Sequence, residues 1–147
     1  MPKNNKREIV INADWGWFNL SEKCILKYAE LKGIKIYKGK SFFAEYWKVP
    51  PSKRVKYVND KWWFGLSEKR RASLEKQYEA QTVNSHNIPR DDPALIQAIK
   101  QIGLKESADR CCKLKIIKIP QNIKWKIEND SGREWIAEQH RTWGKSK

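Results

Sequence analysis

The chain has little with which to bind a metal or to staple itself together. Its 147 residues include three cysteines and two histidines. The cysteines are Cys24, Cys111 and Cys112, and no C-x-x-C occurs. An odd count with two adjacent residues excludes a simple disulfide framework and fits reduced thiols in a cytoplasm-like compartment. His86 and His140 have no second ligand at zinc spacing, so no metal site is expected. Glycine is sparse, at seven residues, and neither G-x-x-x-x-G-K-[ST] nor G-x-G-x-x-G is present. The phosphate-cradling loops of P-loop and dinucleotide-binding proteins are therefore excluded. No nucleophile elbow is found, and no cofactor is expected. No apolar run reaches the roughly 20 residues that span a bilayer, so no membrane association is expected. The polar start, Met1 to Arg7, has no apolar core of a secretory signal.

Acidic residues are also scarce. Asp and Glu total 17 against 31 Lys and Arg, a net charge of +14. Eight tryptophans accompany that excess. Cations attract phosphate over a long range, and flat rings stack on bases. The pairing points to a polyanionic partner, nucleic acid or a nucleotide. Lys far outnumbers Arg, as in AT-rich genomes, so part of the excess is solvated surface. The apolar fraction of 39% and aromatic fraction of 12% are those of a folded chain. The length suits one domain, residues 1–147, with 1–7 and 144–147 expected as mobile tails.

Local signals give an order of elements. Residues 8–12 read as a strand. Ser21 reads as an N-cap, with Leu20 and Ile25 placed as a hydrophobic staple, and the helix runs to Lys32 before Gly33. Residues 34–37 alternate like a strand, and 53–58 read as another. A second helix follows Ser67 to about Ala80. Asp92-Pro93 opens a third, with Leu95, Ile96, Ile99 and Ile102 on one face and Gly103 at its end. Residues 114–119 are β-branched and read as a well-buried strand. Residues 123–128 alternate, 129–132 form a turn, and 133–140 return as a hairpin. The expected fold is α+β, a largely antiparallel sheet with about three helices packed on it and a C-terminal β-hairpin. D-W-G-W-F-N-L-S-E-K at 14–23 also echoes D-K-W-W-F-G-L-S-E-K at 60–69. We read these as two similar loops leading into helices rather than a duplicated half-domain.

Three segments could carry chemistry. The basic patch at 48–71 offers Lys53, Arg54, Lys56, Arg70 and Arg71 to phosphates, with Trp62 and Trp63 as stacking platforms. The competing reading is a solvated surface over an aromatic core. The loop holding Trp15, Gly16, Trp17 and Ser21 leads into a helix N-terminus and could line a nucleotide pocket, with Arg90, Arg133 and Arg141 as phosphate clamps. Ordinary helix capping explains Ser21 equally well. On the last strand, Glu134, Glu138 and His140 share a face and could serve acid–base chemistry, or simply pair with lysines.

D-P-A-L-I at 92–96, L-K-I-I-K-I-P at 114–120 and G-R-E-W-I-A-E-Q-H-R-T-W at 132–143 resemble a family of small uncharacterised proteins of phages, other viruses and bacteria. Ile11-Asn12, Gly16-Trp17-Phe18 and Leu20-Ser21 match the same family near the start. Members often carry two glycines where this chain has Gly16-Trp17. The resemblance implies a viral or mobile-element context and no mechanism. The expectation is a non-enzymatic viral binder of nucleic acid or nucleotides in the host cytoplasm, in which a closed nucleotide pocket would sit at a homo-oligomer interface. The alternatives are a virion or host-protein interaction component, and a phosphoester-processing enzyme.

Overall fold

A computed structural model describes residues 6–39, 45–55 and 65–139 of the chain. Strand β1 is Lys6–Asn12, and helix α1 is Glu22–Lys32. Two short strands follow, β2 at Tyr37–Lys38 and β3 at Tyr46–Trp47, then a 3-10 turn at Pro51–Lys53. Helices α2 (Glu68–Gln81), α3 (Pro93–Ile102) and the one-turn α4 (Leu104–Ser107) come next. Strands β4 (Leu114–Pro120), β5 (Trp125–Asp130) and β6 (Arg133–Glu138) complete the order. The fold is mixed α+β with a C-terminal hairpin. Among the described residues the antiparallel pairing falls into three two-stranded ladders, β1–β4, β2–β3 and β5–β6.

The helix boundaries follow from capping chemistry. Ser21 Oγ accepts the Cys24 N–H, and Ser67 Oγ accepts the Arg70 N–H. The two echoed Ser-Glu-Lys segments are thus both helix starts. Leu20 and Ile25 are buried, as a staple requires. Asp92 accepts the Ala94 N–H, with Pro93 at the first helical position. Gly33 closes α1 in the left-handed region at φ 71°. The Ile34 N–H then bonds back to the Ala29 carbonyl at 2.8 Å. That cap ties up the residue expected to begin a strand, so β2 starts only at Tyr37.

Two other expectations are corrected. Pro50-Pro51 fixes φ and removes donors, and residues 51–53 make a 3-10 turn, so the strand expected over 53–58 has not begun by residue 55; its remainder, 56–58, lies outside the described residues. Strand β4 is only half-buried beyond Leu114; among the described residues it has β1 on one side and no strand on the other. Lys6 and Arg7 belong to β1 and not to a tail. The remaining tail residues, 1–5 and 144–147, lie outside the described residues.

Period-two alternation gives the β1–β4 ladder two faces. Val10, Leu114 and Ile116 join the main core with Phe18, Leu20, Tyr28, Leu95 and Ile99 from the loops and helices. Leu95 and Ile99 are fully buried, which stabilises the fold by ~1.5–3 kcal/mol for each side chain. Helices α1 and α3 pack together, and the Tyr28 hydroxyl donates to Asp92 at 2.9 Å. On the other face Ile9 and Ile11 are equally buried. Strand β6 lies against β1, and Ile136 lines a cleft with Ile11, Ile117 and Ile119. Helix α2 is mostly exposed. It is held through Leu74 and through Tyr78, whose ring meets Trp47 edge-on at 5.2 Å.

Candidate nucleic-acid interface

The second edge of β1 is closed by the Arg90 backbone and by two side chains among the described residues, instead of by a strand. The Val10 N–H donates to the Arg90 carbonyl at 3.0 Å, and Arg90 Nη1 donates to the Val10 carbonyl at 3.3 Å. The Asn12 N–H donates to Glu134 Oε1 at 2.8 Å. Arg90 and Glu134 then meet in a two-pronged pair, Nη1 to Oε1 at 2.8 Å and Nη2 to Oε2 at 3.0 Å. Their side chains are 20% and 10% exposed. The guanidinium also stacks on Phe18, 3.4 Å from the ring centroid. A fork–fork Arg–carboxylate pair holds both groups in one geometry. Arg90 is therefore committed within the fold and is not a free phosphate clamp. Glu134 is equally committed, to Arg90 and to the backbone of Asn12. Glu138, on the same strand, is exposed, and His140 lies outside the described residues. The acid–base cluster is not assembled among the described residues.

Asn12, fully buried, organises the adjoining loops. Its Nδ2 donates to the carbonyls of Asp14 and Gly132, both at 2.8 Å. Its Oδ1 accepts the Lys113 N–H at 3.0 Å and the Asp14 N–H at 3.4 Å. One side chain thus ties together the 13–17 loop, the start of β4 and the hairpin turn. Backbones meet closely around it. A Cβ on Gly16 would overlap the Cys111 carbonyl oxygen, and a Cβ on Gly132 would overlap the Gly16 carbonyl oxygen. Both glycines have positive φ, 116° and 89°. Gly16 serves this packing between loops, a role other than close approach to a ligand.

The consequence is a pinned loop with two rings turned outward. Trp15 is 56% exposed and Trp17 is 74% exposed. The next residue, Phe18, is buried at 5% and anchors the far end. The Arg133 guanidinium stands 5.9 Å from the Trp15 ring centroid. Asp14 turns its carboxylate back to the Trp15 N–H at 2.8 Å. Arg110 and Lys113 flank the Cys111 and Asn12 contacts, are exposed, and make no ion pair with any described residue. Trp135, on the hairpin, is 43% exposed, with its indole N–H on Glu128 at 3.0 Å.

The other expected site residues divide. Ser21 is a helix cap, with its hydroxyl donating to the Glu106 carbonyl at 2.7 Å. Arg54 is turned inward, 4.9 Å from the Trp47 ring and donating to the Val49 and Tyr37 carbonyls. Lys53 and Arg70 are exposed, and Arg71 is half-exposed. Lys56, Trp62, Trp63 and Arg141 lie outside the described residues. The thiols offer little reactivity. Burial pushes the Cys24 thiol up to about 11 and raises that of Cys112, which accepts the Asn19 N–H at 3.4 Å. Cys111 is exposed, in a turn at φ 59°. No group of His, Cys, Asp and Glu among the described residues could hold a metal. No described helix is long and apolar enough to cross a membrane.

Sequence reasoning named Trp15, Trp17 and Arg133, of which the fold brings Trp15 and Arg133 together; it did not name Arg110 or Lys113, nor the part Asn12 plays in joining the loops. The available signal was an Asn directly after an Ile-Val-Ile strand, where a polar side chain must find partners. Comparison with protein-family models, curated proteins and solved structures returns no match.

Proposed function

We propose that this chain is a small basic binder of nucleic acid or nucleotides, holding phosphate through Lys and Arg and bases through tryptophan. The observation that carries this reading is the pinned loop, with two exposed indoles beside Arg133 and two further unpaired cations. Large rings are normally buried, and a rigid loop that exposes two of them favours a partner with flat faces. The net charge of +14 favours an anionic one. The viral or mobile-element setting, in a host cytoplasm, rests on the resemblance alone. The commitment of Glu134 to Arg90 weighs against acid–base catalysis on β6. A protein-binding component is the second reading, favoured by Trp135, whose exposed indole would anchor a protein surface.

Fluorescence anisotropy with labelled oligonucleotides across a salt series tests the proposal. Three phosphate contacts predict that affinity falls roughly 20- to 40-fold between 50 and 200 mM salt. A flat salt dependence would refute it. Salt-insensitive capture of one defined protein would favour the second reading.

A further inference from the structure

We infer that the preferred ligand is single-stranded, with unpaired bases stacked on the Trp15 and Trp17 indoles and the backbone phosphates lying on Arg133, Arg110 and Lys113. This rests on the nucleic-acid reading above and narrows it to one class of ligand. The first argument is geometric. The loop is anchored before the rings by Asn12, between them by Gly16 against Cys111, and after them by buried Phe18. The loop backbone that carries both rings cannot move inward without breaking those contacts. A duplex keeps its base faces inside its own stack and offers a protein only backbone and groove edges. The faces that match an outward indole are those of unpaired bases.

The second argument concerns magnitude. Arg133, Arg110 and Lys113 make no ion pair with any described residue, and three phosphate contacts alone bind weakly at physiological salt. Stacking is worth more here than charge, since each base on a ring strengthens binding by roughly 5- to 150-fold. Trp15 and Trp17 are two residues apart, so their Cα atoms lie within ~7 Å of each other. Both rings can therefore serve one short oligonucleotide. Both rings are more than half exposed, and the Arg133 guanidinium over the Trp15 ring is placed to supply the neighbouring phosphate contact.

The test compares four labelled probes with the full chain: a 12-nucleotide oligo-dT, the matching oligo-U, a 12-base-pair duplex and inorganic polyphosphate. Single strands, DNA or RNA, are expected to bind at least 10-fold tighter than duplex. Trp15→Ala and Trp17→Ala should each weaken single-strand binding roughly 5- to 150-fold and leave polyphosphate binding unchanged. Their salt slope should match the parent, whereas Arg133→Met should lower it by about 0.7. Trp15→Phe and Trp17→Phe keep a ring and should retain most of the affinity, which separates lost stacking from a disturbed fold. Equal binding of strand, duplex and polyphosphate, with both alanine variants unaffected, would overturn the inference while leaving a polyanion binder in place. No binding to any probe would overturn both.

Discussion

Removing Glu134 should unfold the N-terminal edge of the ladder and not merely trim a surface. Its carboxylate is 10% exposed and receives three hydrogen bonds, two from Arg90 and one from the Asn12 backbone. Deleting one member of a buried ion pair leaves the other charge uncompensated, at a cost of ~3–5 kcal/mol. The Asn12 N–H also loses its acceptor, which adds ~1–3 kcal/mol unless water enters. Glu134→Ala should therefore destabilise by at least ~3 kcal/mol, lowering Tm by roughly 6 °C or more for a chain of this size. Arg90→Ala should cost a similar amount and also empty the space over Phe18. The double variant Arg90→Met/Glu134→Leu removes both charges and keeps the volume, so it should be far less harmful than the sum of the two alanine variants. Urea denaturation of the parent, Arg90→Met, Glu134→Leu and the double variant gives the coupling directly. A loss below ~1 kcal/mol for Glu134→Ala, the range of exposed pairs, would refute the view that this pair closes the β1 edge.

Three other perturbations have defined outcomes. Gly132→Ala places a Cβ on the Gly16 carbonyl at positive φ and should destabilise by more than ~2 kcal/mol, whereas Gly33→Ala, with open space around it, should cost about 1 kcal/mol; thermal melts of both compare them. Burial works against ionised Asp92, but the Ala94 N–H, the Tyr28 hydroxyl and Lys32 outweigh it and lower its pKa from 3.8. A depressed folded value contributes stability above the unfolded pKa that is lost as pH falls through the folded one, so Asp92→Asn should flatten the loss of stability below about pH 4 in urea titrations. Burial first, then Asp92 and Glu22 respectively, push Tyr28 and Tyr46 up to about 12. Their contribution is complete below pH 10 and disappears as pH rises toward 12, so alkaline titration at 295 nm should show two phenols ionising late, together with unfolding.

What the sequence could reveal was what neighbouring residues decide. Ser21, Ser67 and Asp92-Pro93 each set a helix start within three residues of the hydrogen bond they make, and Gly33 and Gly103 set two of the helix ends. The hairpin at 125–138 was legible for the same reason. The first ladder was not, because Ile9 pairs with Ile117 and nothing near either residue names the other. The interface shares that limit. Trp15 and Trp17 were visible as aromatic residues in a loop, but their outward pose depends on Asn12 reaching Gly132, 120 positions away. Arg90 and Glu134 looked like a clamp and an acid, and each consumes the other across 44 positions.

The closure of β1 also orders events in time. Lys6–Asn12 is made roughly 100 residues before its ladder partner, and Glu134 follows later still. At ribosomal rates of about 5–20 residues per second, Ile9-Val10-Ile11 waits roughly 5–20 s for β4, with both edges open and both faces apolar. Three consecutive β-branched residues without a partner are a template for pairing with another chain. The cations that precede them, Lys6 and Arg7, are gatekeepers at the vulnerable end. Charge at that end opposes such pairing while the chain is being made.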